Sequence, residues 1–488
     1  MKKDTLYEPV IGLEVHAQLL TRSKAFCGCS TEFGRDPNTN VCPVCLGLPG
    51  TLPVLNRNLV DFIVRLGVAT GCRIAPRSGF ARKNYFYPDL PKGYQITQYD
   101  NPMCAGGAVE IDLGDGSRKT VGITRIHMEE DAGKSLHDVQ VDTLVDLNRC
   151  GVPLIEIVSE PDLRSPGEAY LYLNRIRQIV VYLGICDGNM EEGSLRCDAN
   201  VSIRKKGTSA FGTKTEVKNM NSFRNVERAL EFEINRQAEL LRSGGTVRQE
   251  SLFWDANQGV AVPMRSKEEA HDYRYFPEPD LVPVEITRER VAEIGADLPE
   301  LPGPRRDRYE REFGLPRYDA DVLTSEPGYA TYFESVISAL PREREAYKLA
   351  GNWVMTEVLR ALSAGGGEIG SFPVTPAGLA SMICLIRDGT ISSRIAKEVF
   401  AEMIATAEDP AAVIRRKGLV QISDEGAIRN AATEVVSRNA PQVEKYLAGN
   451  DKILGFFVGE VMKATKGRAN PGMVNGVLRE ILEKARSR

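Results

Sequence analysis

The first part of the chain alternates apolar and polar residues in short runs, which is typical of strands with one buried face. Four such runs occupy residues 11–19, 123–131, 153–159 and 193–202, and turn residues separate them. Apolar residues at helical spacing are clearest over two further segments, 166–183 and 225–241. The pattern therefore predicts a mixed α+β domain over residues 1–295.

The rest of the chain has the apolar spacing of helices. The segment 298–304 (LPELPGP) should end any regular element, because its prolines cannot continue a helix or a strand ladder. A second break at 364–370 precedes Thr375 and Pro376, which fit the N-cap and first position of a helix. The two predicted domains beyond residue 295 are a helical connector and a compact helical tail, 296–405 and 406–488.

The first of the four runs carries ionisable side chains on one face. Glu14, His16 and Gln18 lie together because side chains alternate across a strand. Glu156 is the only charged residue of the third run. A carboxylate among apolar neighbours is costly unless it is paired or binds a metal. A solvated sheet face is the alternative for the first run, but it does not account for Glu156.

The second and fourth runs add further polar residues. Glu129 and Glu130 point to opposite faces of the second run, so spacing does not decide which one joins the others, and an acid-rich surface turn is the alternative. The polar face of the fourth run consists of Ser194, Arg196, Asp198, Asn200 and Ser202. Together the runs favour a carboxylate-lined cleft for a hard cation, Mg²⁺ or Mn²⁺, and hence phosphate chemistry. The imidazole of His16 favours Mn²⁺, or a place next to the cation rather than on it.

The composition is that of an ordinary globular protein, with 42% hydrophobic and 26% charged residues. The net charge of −4 excludes a generally basic polyanion binder, so any RNA would have to contact a local patch. No apolar run approaches the roughly 18 residues of a membrane span, and the first residues do not have the pattern of a targeting segment. We therefore expect a cytoplasmic protein.

Four of the ten cysteines lie within nineteen residues. Cys27 and Cys29 form a CxC pair, and Cys42 and Cys45 form a CxxC pair after twelve intervening residues. Four thiolates at this spacing predict a closed tetrahedral zinc site that fixes a loop. A redox CxxC or free thiols are the weaker alternatives, because no βαβ pattern surrounds the motif. The remaining cysteines are expected in the core: Cys72, Cys104, Cys150, Cys186, Cys197 and Cys384.

The sequence contains no P-loop, kinase glycine loop or Rossmann fingerprint, so bound ATP would need another arrangement. Several segments mix aromatic with cationic residues or offer amide donors, which suits stacking on a base and neutralising phosphate. These segments are 82–89, 92–98, 218–223 and 271–280. Each of them, taken alone, is more often a packed loop than a binding site.

Taken together, the motifs resemble the B-subunit family of the aspartyl/glutamyl-tRNA(Asn/Gln) amidotransferases. The most characteristic run is Asp146–Glu156 (DLNRCGVPLIE). Further blocks match in the same order: IGLEVH (11–16), KNYFYPD (83–89), HMEEDAGK (127–134), EGSLRCDAN (192–200) and DYRYFPEPD (272–280). This resemblance covers essentially the whole chain, and agreement over so many separated motifs is highly specific.

The resemblance implies a fold and a reaction. The fold would be an α+β catalytic cradle domain similar to glutamine synthetase, mainly antiparallel sheet with helices, followed by an all-α connector and an all-α YqeY-like tail. The reaction would be that of a three-subunit ligase, which uses ATP to phosphorylate the side-chain carboxylate of Glu or Asp misacylated onto tRNA. Ammonia released from glutamine would then displace the phosphate to give Gln-tRNA(Gln), Asn-tRNA(Asn) or both. The implied partners are the amidase (A) and small (C) subunits of the amidotransferase and the misacylated tRNA.

The resemblance also implies site residues. The positions that match the family's metal ligands are Glu14, His16, Glu130, Glu156 and Asp198, of which all but Asp198 are also expected to be catalytic. Lys83 matches a position close to the phosphate and is expected to be catalytic. Choosing Glu130 over Glu129 rests on this analogy alone. The candidate ATP contacts are Tyr85, Lys92, Ser194, Arg196, Lys218 and Arg274. The cofactors expected are ATP, Mg²⁺ or Mn²⁺, and structural Zn²⁺ at the four cysteines.

The tail has a local excess of cations, which suits contact with an RNA backbone. From residue 451 onward they are Lys452, Lys463, Lys466, Arg468, Arg479, Lys484, Arg486 and Arg488. A solvated helix face is the alternative, and only the resemblance favours RNA.

Two other functions also fit the residues. A stand-alone ATP-dependent carboxylate–amine ligase would be stimulated by free glutamate without tRNA, and a non-catalytic zinc-bearing RNA-binding adaptor would be insensitive to Glu156→Gln.

Overall fold

The structure is a computed structural model that describes residues 6–136, 142–264, 273–419, 424–465 and 468–486. The chain divides into two compact units, Met1–Pro302 and Gly303–Arg488. This division falls inside the proline-rich segment 298–304. Among the residues described, no helix is long and apolar enough to cross a lipid bilayer.

The first unit contains seventeen strands and four helices among its described residues. The strands are β1 (Tyr7–Gln18), β2 (Arg73–Ile74), β3 (Arg77–Ser78), β4 (Ala81–Asn84), β5 (Tyr94–Thr97), β6 (Cys104–Ala105), β7 (Ala108–Asp112), β8 (Arg118–Glu130), β9 (Lys134–Leu136), β10 (Leu144–Asp146), β11 (Pro153–Ser159), β12 (Leu195–Lys205), β13 (Thr215–Lys218), β14 (Ser251–Asp255), β15 (Val260–Pro263), β16 (Phe276–Pro277) and β17 (Val284–Glu285). The helices are α1 (Arg57–Ala69), α2 (Pro166–Tyr182), α3 (Phe223–Arg242) and α4 (Arg288–Ala296). The predicted mixed α+β region is confirmed.

Ten strands form one sheet with the order β15-β14-β13-β12-β1-β11-β8-β6-β2, and β7 pairs with β8. Every pairing in it is antiparallel except β13 with β14. Smaller sheets pair β10 with β9, β17 with β3, and β4 with β5 and β16. The four runs predicted as strands form the adjacent central strands β12, β1, β11 and β8, which is why their polar residues meet.

One face of the central sheet is the core of this unit. Ile11, Leu13 and Val15 of β1 are buried there, and helices α1, α2 and α3 supply the side chains that cover them. Helix α2 begins where its sequence indicates, since Ser165 accepts a hydrogen bond from the Glu168 backbone and Pro166 takes the first position. The alternate residues of β1 therefore face away from the helices.

The second unit is helical throughout its described residues. Its α-helices are α5 (Pro302–Arg308), α6 (Arg317–Leu323), α7 (Pro327–Ser338), α8 (Arg344–Trp353), α9 (Leu359–Gly365), α10 (Pro376–Arg387), α11 (Ser393–Thr406), α12 (Pro410–Lys417), α13 (Glu425–Arg438), α14 (Ala440–Leu447), α15 (Leu454–Ala464) and α16 (Pro471–Arg486). Tyr309–Phe313 and Val354–Val358 are π-helical, and Ile369–Ser371 and Asp451–Ile453 are short 3₁₀ turns. The all-helical prediction for this half is confirmed.

The predicted helix signals of this unit act as expected. The Thr375 side chain accepts a hydrogen bond from the Gly378 backbone N–H at 3.1 Å and caps α10. Gly366, at φ +64°, terminates α9 within the predicted break. Asn470 accepts hydrogen bonds from the first turn of α16.

Two hydrophobic clusters fill the second unit, one from Tyr309 to Ile414 and one from Ile428 to Leu482. The predicted limit between residues 405 and 406 falls at the end of α11. Val413 and Ile414 of the next helix, α12, belong to the same cluster as α11.

Candidate active site on the open face of the sheet

Three potential metal ligands converge on the face of the sheet that the helices do not cover, which we call the open face. Glu129 and Glu156 are nevertheless buried there by other side chains. One ligand atom each of His16, Glu129 and Glu156 lies within 4.8 Å of the other two. Each comes from a different neighbouring strand, because the register places His16 of β1 opposite Glu156 of β11, and Glu156 opposite His127 of β8. Nε2 of His16 is 3.3 Å from Oε2 of Glu156. Two carboxylates and one imidazole form a donor set that a divalent cation accepts.

Glu130 is not part of this group. It points to the opposite face of β8, where it is buried, forms an ion pair with Lys92 and accepts a hydrogen bond from the Ile96 backbone N–H at 2.9 Å. Of these two glutamates, the alternation of side chains along the strand leaves Glu129 on the face of His16. We therefore take Glu129, in place of Glu130, as the candidate ligand from this strand.

Charges in the group stabilise one another. Burial opposes ionisation of Glu129, but a hydrogen bond from His127 and the charge of Lys83 hold the pKa of Glu129 well below its usual range. Burial also opposes ionisation of Glu156, and the hydrogen bond from His16 lowers the pKa of Glu156. Burial disfavours protonated His16, yet Glu156 outweighs burial and raises the pKa of His16. Ionised carboxylates thus face the imidazole of His16, whose proton a metal cation can replace.

His127 is a further member that the sequence reasoning missed. Its Nε2 lies 3.3 Å from Oε1 of Glu129 and 3.6 Å from Oε2 of Glu156. Its Nδ1 is buried and has no hydrogen-bond partner among the described residues. The signal was available, because His127 precedes Glu129 by two residues and therefore shares its face.

A second row of charged residues lies next to the three ligands. Glu14 is opposite Asp198 in the register of β1 and β12, and Lys218 Nζ lies 2.6 Å from Asp198 Oδ2 and 2.8 Å from Glu216 Oε1. Burial, together with the charges of Glu156 and Glu216, raises the pKa of Glu14. The predicted ligands Glu14 and Asp198 are thus neighbours of the three-ligand group rather than members of it. Glu216 was not predicted, although it lies two residues before Lys218 in β13 and therefore shares its face.

Lys83 lies close to the same carboxylates. Burial opposes its charged form, but Glu129 and neighbouring groups outweigh burial and raise the pKa of Lys83. Its Nζ is 4.9 Å from the centroid of the Tyr273 ring. Tyr85 also contacts Tyr273, and burial followed by the charge of Glu129 raises the pKa of Tyr85. The small sheet of β4, β5 and β16 thus brings a permanent cation and two phenols to the candidate cation site.

Asp131 forms a separate buried ion pair beyond the end of β1. Its Oδ2 accepts hydrogen bonds from Gln18 Nε2 at 2.6 Å and from Arg196 Nη2 at 2.8 Å. Burial opposes ionisation of Asp131, but Arg196 and Arg149 lower the pKa of Asp131. Arg196, predicted to contact ATP, is therefore held by a carboxylate at one end of the open face.

The other predicted ATP contacts divide into two groups. Tyr85 and Lys218 lie with the site residues described above, whereas the Lys92 side chain is only 7% exposed and pairs with Glu130 away from the open face. Ser194 lines a cavity near the end of β1, where its hydroxyl donates to Asp187 at 3.2 Å. Arg274 is exposed, with its guanidinium 5.9 Å from the Phe86 ring centroid. Two members of the predicted segment 271–280, His271 and Asp272, lie outside the described residues.

The four cysteines form a second group that could hold a metal ion. The Sγ atoms of Cys27, Cys29, Cys42 and Cys45 all lie within 4.8 Å of one another. A hydrogen bond from Cys27, helped by the ammonium of Lys24, lowers the pKa of Cys45 to about 4 despite burial. A ready thiolate among four converging sulfurs fits a tetrahedral zinc ion.

Comparisons with known proteins cover nearly the whole chain. Residues 9–292 match the family described as "GatB/GatE catalytic domain", and residues 331–482 match the family described as "GatB domain". The curated proteins to which the chain is similar include the following three, each named as the B subunit of aspartyl/glutamyl-tRNA(Asn/Gln) amidotransferase. The protein from Chlorobium phaeobacteroides is 56% identical over 98% of this chain and 99% of its own. That from Thermodesulfovibrio yellowstonii is 54% identical over 98% and 100%, and that from Geobacter sulfurreducens is 57% identical over 98% and 99%. The chain belongs to the B-subunit family of the aspartyl/glutamyl-tRNA(Asn/Gln) amidotransferases.

Proposed function

We propose that this chain phosphorylates the side-chain carboxylate of Glu or Asp misacylated onto tRNA, using ATP, within an amidotransferase that then forms the amide. The convergence of His16, Glu129 and Glu156 on an open sheet face carries this proposal. The family of the chain supplies the substrate class, since its relatives are named for aspartyl- and glutamyl-tRNA.

The site residues suit the chemistry of phosphoryl transfer. A Mg²⁺ or Mn²⁺ ion held by His16, Glu129 and Glu156 would supply positive charge to the phosphoryl group. In the first step a carboxylate oxygen of the aminoacyl group attacks the γ-phosphorus, and the bond to the bridging oxygen breaks to release ADP. In the second step ammonia attacks the acyl carbon, inorganic phosphate leaves, and the nitrogen loses a proton. Lys83, kept protonated by nearby carboxylates, stabilises the negative charge on the phosphoryl oxygens in both steps.

A cavity of about 590 Å³, lined by Glu14 among others, lies further along β1 from the three ligands and suits the nucleoside of ATP. Gly12 of β1 and Asn200 of β12 line it, so it continues the same sheet face. The ring of Phe211 at its edge is 63% exposed and can stack on a base. From Gly12 to His16, β1 spans about 13 Å, which a ribose and triphosphate can bridge.

A second cavity, of about 770 Å³, lies at the other end of β1 and suits the aminoacyl end of tRNA better than ATP. Its charged lining residues are Glu32, Asp146, Asp187, Glu191 and Glu192 against Arg35, Lys134 and Arg149. The excess of acids repels a triphosphate but favours the α-ammonium group of an aminoacyl ester. With ATP in the first cavity and the aminoacyl end of tRNA in the second, the two substrates would lie on either side of the candidate cation site.

The proposal includes the partners and the second metal. The amidase partner would supply ammonia and the small partner would complete the heterotrimer, as the resemblance implies. Zn²⁺ would occupy the four cysteines in a structural role. The exposed cations of the tail, Lys452, Lys463, Arg479 and Lys484, would contact the tRNA backbone.

The test is a coupled assay of the reconstituted enzyme. This chain, its two partner chains, Glu-tRNA(Gln), glutamine, Mg²⁺ and γ-labelled ATP are combined, and phosphate release and Gln-tRNA(Gln) are followed together. Glu156→Gln should lower both rates by about 100-fold or more, because a cation ligand and a fixed charge are lost. tRNA affinity should change little.

The matched control is Glu110→Gln, which removes an exposed carboxylate on β7 and should leave both rates unchanged. Full activity of Glu156→Gln would refute a phosphoryl-transfer site on this chain. The chain would then act as a non-catalytic tRNA-binding scaffold.

A further inference from the structure

We infer that the four-cysteine centre is coupled to the candidate cation site, so that metal bound by the cysteines fixes the positions of Glu129 and Asp131. The coupling has two routes, the buried Lys92–Glu130 pair and the segment Asp146–Gly151. The inference deepens the proposed function and rests on it for the identity of the cation site.

The first route runs through Lys92. The cysteine loop, residues 27–45, and strand β8 are separated by a cavity of about 110 Å³. Cys45, Lys92 and Glu130 all line this cavity. The Lys92 stem packs directly on the backbone of Gly47, where a Cβ atom would lie 2.5 Å from Lys92 Cγ. Lys92 then pairs with Glu130, the residue that follows Glu129. A displacement of the cysteine loop would therefore move Lys92 and Glu130, and with them the neighbouring ligand Glu129 on β8.

The second route runs through Asn148 and Asp146. The Asn148 side chain accepts from the Asn40 backbone N–H at 2.7 Å and donates to the Asp36 carbonyl at 2.7 Å. Asp146 accepts from the Asn38 backbone N–H at 3.1 Å. All three loop residues lie between Cys29 and Cys42, so these bonds hold the part of the loop that connects the two cysteine pairs.

The same segment is bonded on its other side to the end of β8. The Gly151 backbone N–H donates to the Asp131 carbonyl at 2.8 Å, and the Gly151 carbonyl accepts from Ala25 at 2.8 Å. Arg149 donates to the carbonyls of Ala132 and Gly133 at 2.9 and 2.7 Å. Shortly after Arg149 the chain enters β11, the strand of Glu156. The segment thus connects the cysteine loop with two of the strands that supply cation ligands.

Gly151 is the point where the two routes meet. Its φ of +83° favours glycine, and a Cβ atom there would lie 3.6 Å from Cys45 Cβ and 3.7 Å from Glu130 Oε2. Gly151 is thus in close contact with both the cysteine centre and Glu130, which lies on the face of β8 opposite to Glu129.

Charge balance supports a metal-loaded centre in this arrangement. Lys24 is completely buried, and its Nζ is 3.6 Å from Cys45 Sγ. An isolated buried ammonium is costly, and a Zn²⁺ ion with four thiolates carries the net negative charge that offsets it. Removing the metal therefore removes the charge that balances Lys24 as well as the tether of the loop.

The experiment measures Mn²⁺ binding by the full chain without substrates. Mn²⁺ affinity is determined by electron paramagnetic resonance for the zinc-loaded protein, the zinc-free protein, and the zinc-free protein given back one equivalent of Zn²⁺. Removal of zinc should weaken Mn²⁺ binding by about 10-fold or more, as disturbed support of metal ligands does in other sites, and zinc should restore it. In the assembled enzyme, removal of zinc should also lower kcat.

Two variants show whether the coupling follows the proposed routes. Lys92→Met/Glu130→Gln replaces the buried pair by groups of similar size. Combined with Asp146→Ala and Asn148→Ala, which remove the side-chain bonds of the second route, it should make Mn²⁺ affinity insensitive to zinc. Cys384→Ser, a cysteine of α10, is the matched control and should behave as the parent protein. Circular dichroism confirms that each protein compared is folded.

Equal Mn²⁺ affinity of the folded zinc-free and zinc-loaded proteins would overturn the inference, as would a zinc effect that survives the combined variant. Neither result touches the proposed function, which fails instead if Glu156→Gln remains active. The two proposals can therefore fail separately.

Discussion

Lys83 is a positively charged side chain beside the candidate cation site, and its ammonium interacts with both Glu129 and Glu156. Burial opposes its charge, but these carboxylates and the neighbouring phenols raise its pKa, so that the ammonium stays protonated at neutral pH. The Tyr273 ring lies beside it. A cation in this position has its main effect when negative charge grows on a transferred phosphoryl group. Its contribution should therefore be to the rate of transfer rather than to binding of the divalent cation.

Lys83→Met tests this role, because methionine keeps an unbranched apolar stem and removes the charge. We expect phosphate release to slow by about 100-fold or more while Mn²⁺ affinity changes only a few-fold. Lys205→Met removes an exposed ammonium at the end of β12 and should have no effect on either. A normal rate for Lys83→Met would exclude Lys83 from the reaction.

Single residues also mark where sequence reasoning reached its limit. Strand alternation correctly places Glu14 and His16 on one face, since that needs only a period of two, whereas the position of Glu156 opposite His16 depends on the strand register. The choice between Glu129 and Glu130 depends on which face of β8 the helices cover, and Lys92 depends on a partner 38 residues away in the chain. Both are tertiary facts that no local pattern contains.

At the scale of elements, partly buried ion pairs join helices as well as strands. Glu334 of α7 accepts hydrogen bonds from Arg305 and Arg308 of α5 at 2.6 Å each, and from the Tyr309 hydroxyl at 3.0 Å. Burial opposes ionisation of Glu334, but the two arginines lower the pKa of Glu334 to about 2. The short helix α5 is thus held by charge, because it offers little apolar surface of its own.

Glu334→Gln should destabilise the helical unit in a pH-dependent way. A depressed carboxyl pKa stabilises the folded state above the unfolded value of 4.5, and this contribution is lost as the pH falls towards 2. We expect a loss of about 1–3 kcal/mol in the free energy of unfolding at pH 7. The difference between the variant and the parent should shrink below about pH 4.5.

The measurement is urea unfolding followed by Trp353 fluorescence. The chain has two tryptophans, so a Trp254→Phe background leaves Trp353 of the helical unit as the only reporter. Arg360→Gln is the control, because the Arg360–Glu357 ion pair lies within another part of the helical unit and does not involve α5 or α7. A destabilisation by Glu334→Gln that is the same at pH 7 and pH 3 would contradict the assignment.

Elements were predictable wherever one local signal decided them. The strand 153–159 and the start of α10 at Thr375 follow from apolar runs and capping residues alone. Short strands such as β4, β5 and β16 have no such signal, because their pairing is non-local and only two to four residues form each strand. These are the strands that bring Lys83 and the tyrosines to the site.

At the scale of the whole molecule, the chain separates a sheet-bearing unit from a helical one, and the last helices have their own hydrophobic cluster from Ile428 to Leu482. Because Val413 and Ile414 belong to the preceding cluster, a clean truncation has to come after Leu419 rather than at residue 406. Of the predicted tail cations, Lys466 and Arg488 lie outside the described residues. Arg468 is half-buried and donates to the Gly418 carbonyl.

Deletion of residues 424–488 tests the role of the tail. It removes α13–α16 and their cluster, so the KM for tRNA should rise by about 10-fold or more while kcat changes little. Removing backbone contacts should also make the KM less sensitive to salt. An unchanged KM at every salt concentration would refute the assignment of the tail to tRNA.

The most direct test of the account is a Mn²⁺ titration of the full chain by electron paramagnetic resonance, comparing the parent with Glu129→Gln and Glu110→Gln. If His16, Glu129 and Glu156 hold the cation, Glu129→Gln should weaken Mn²⁺ binding by about 10-fold or more and Glu110→Gln should leave it unchanged. Equal affinity of the parent and Glu129→Gln would contradict the cation site, and with it the phosphoryl-transfer role proposed for this face of the sheet.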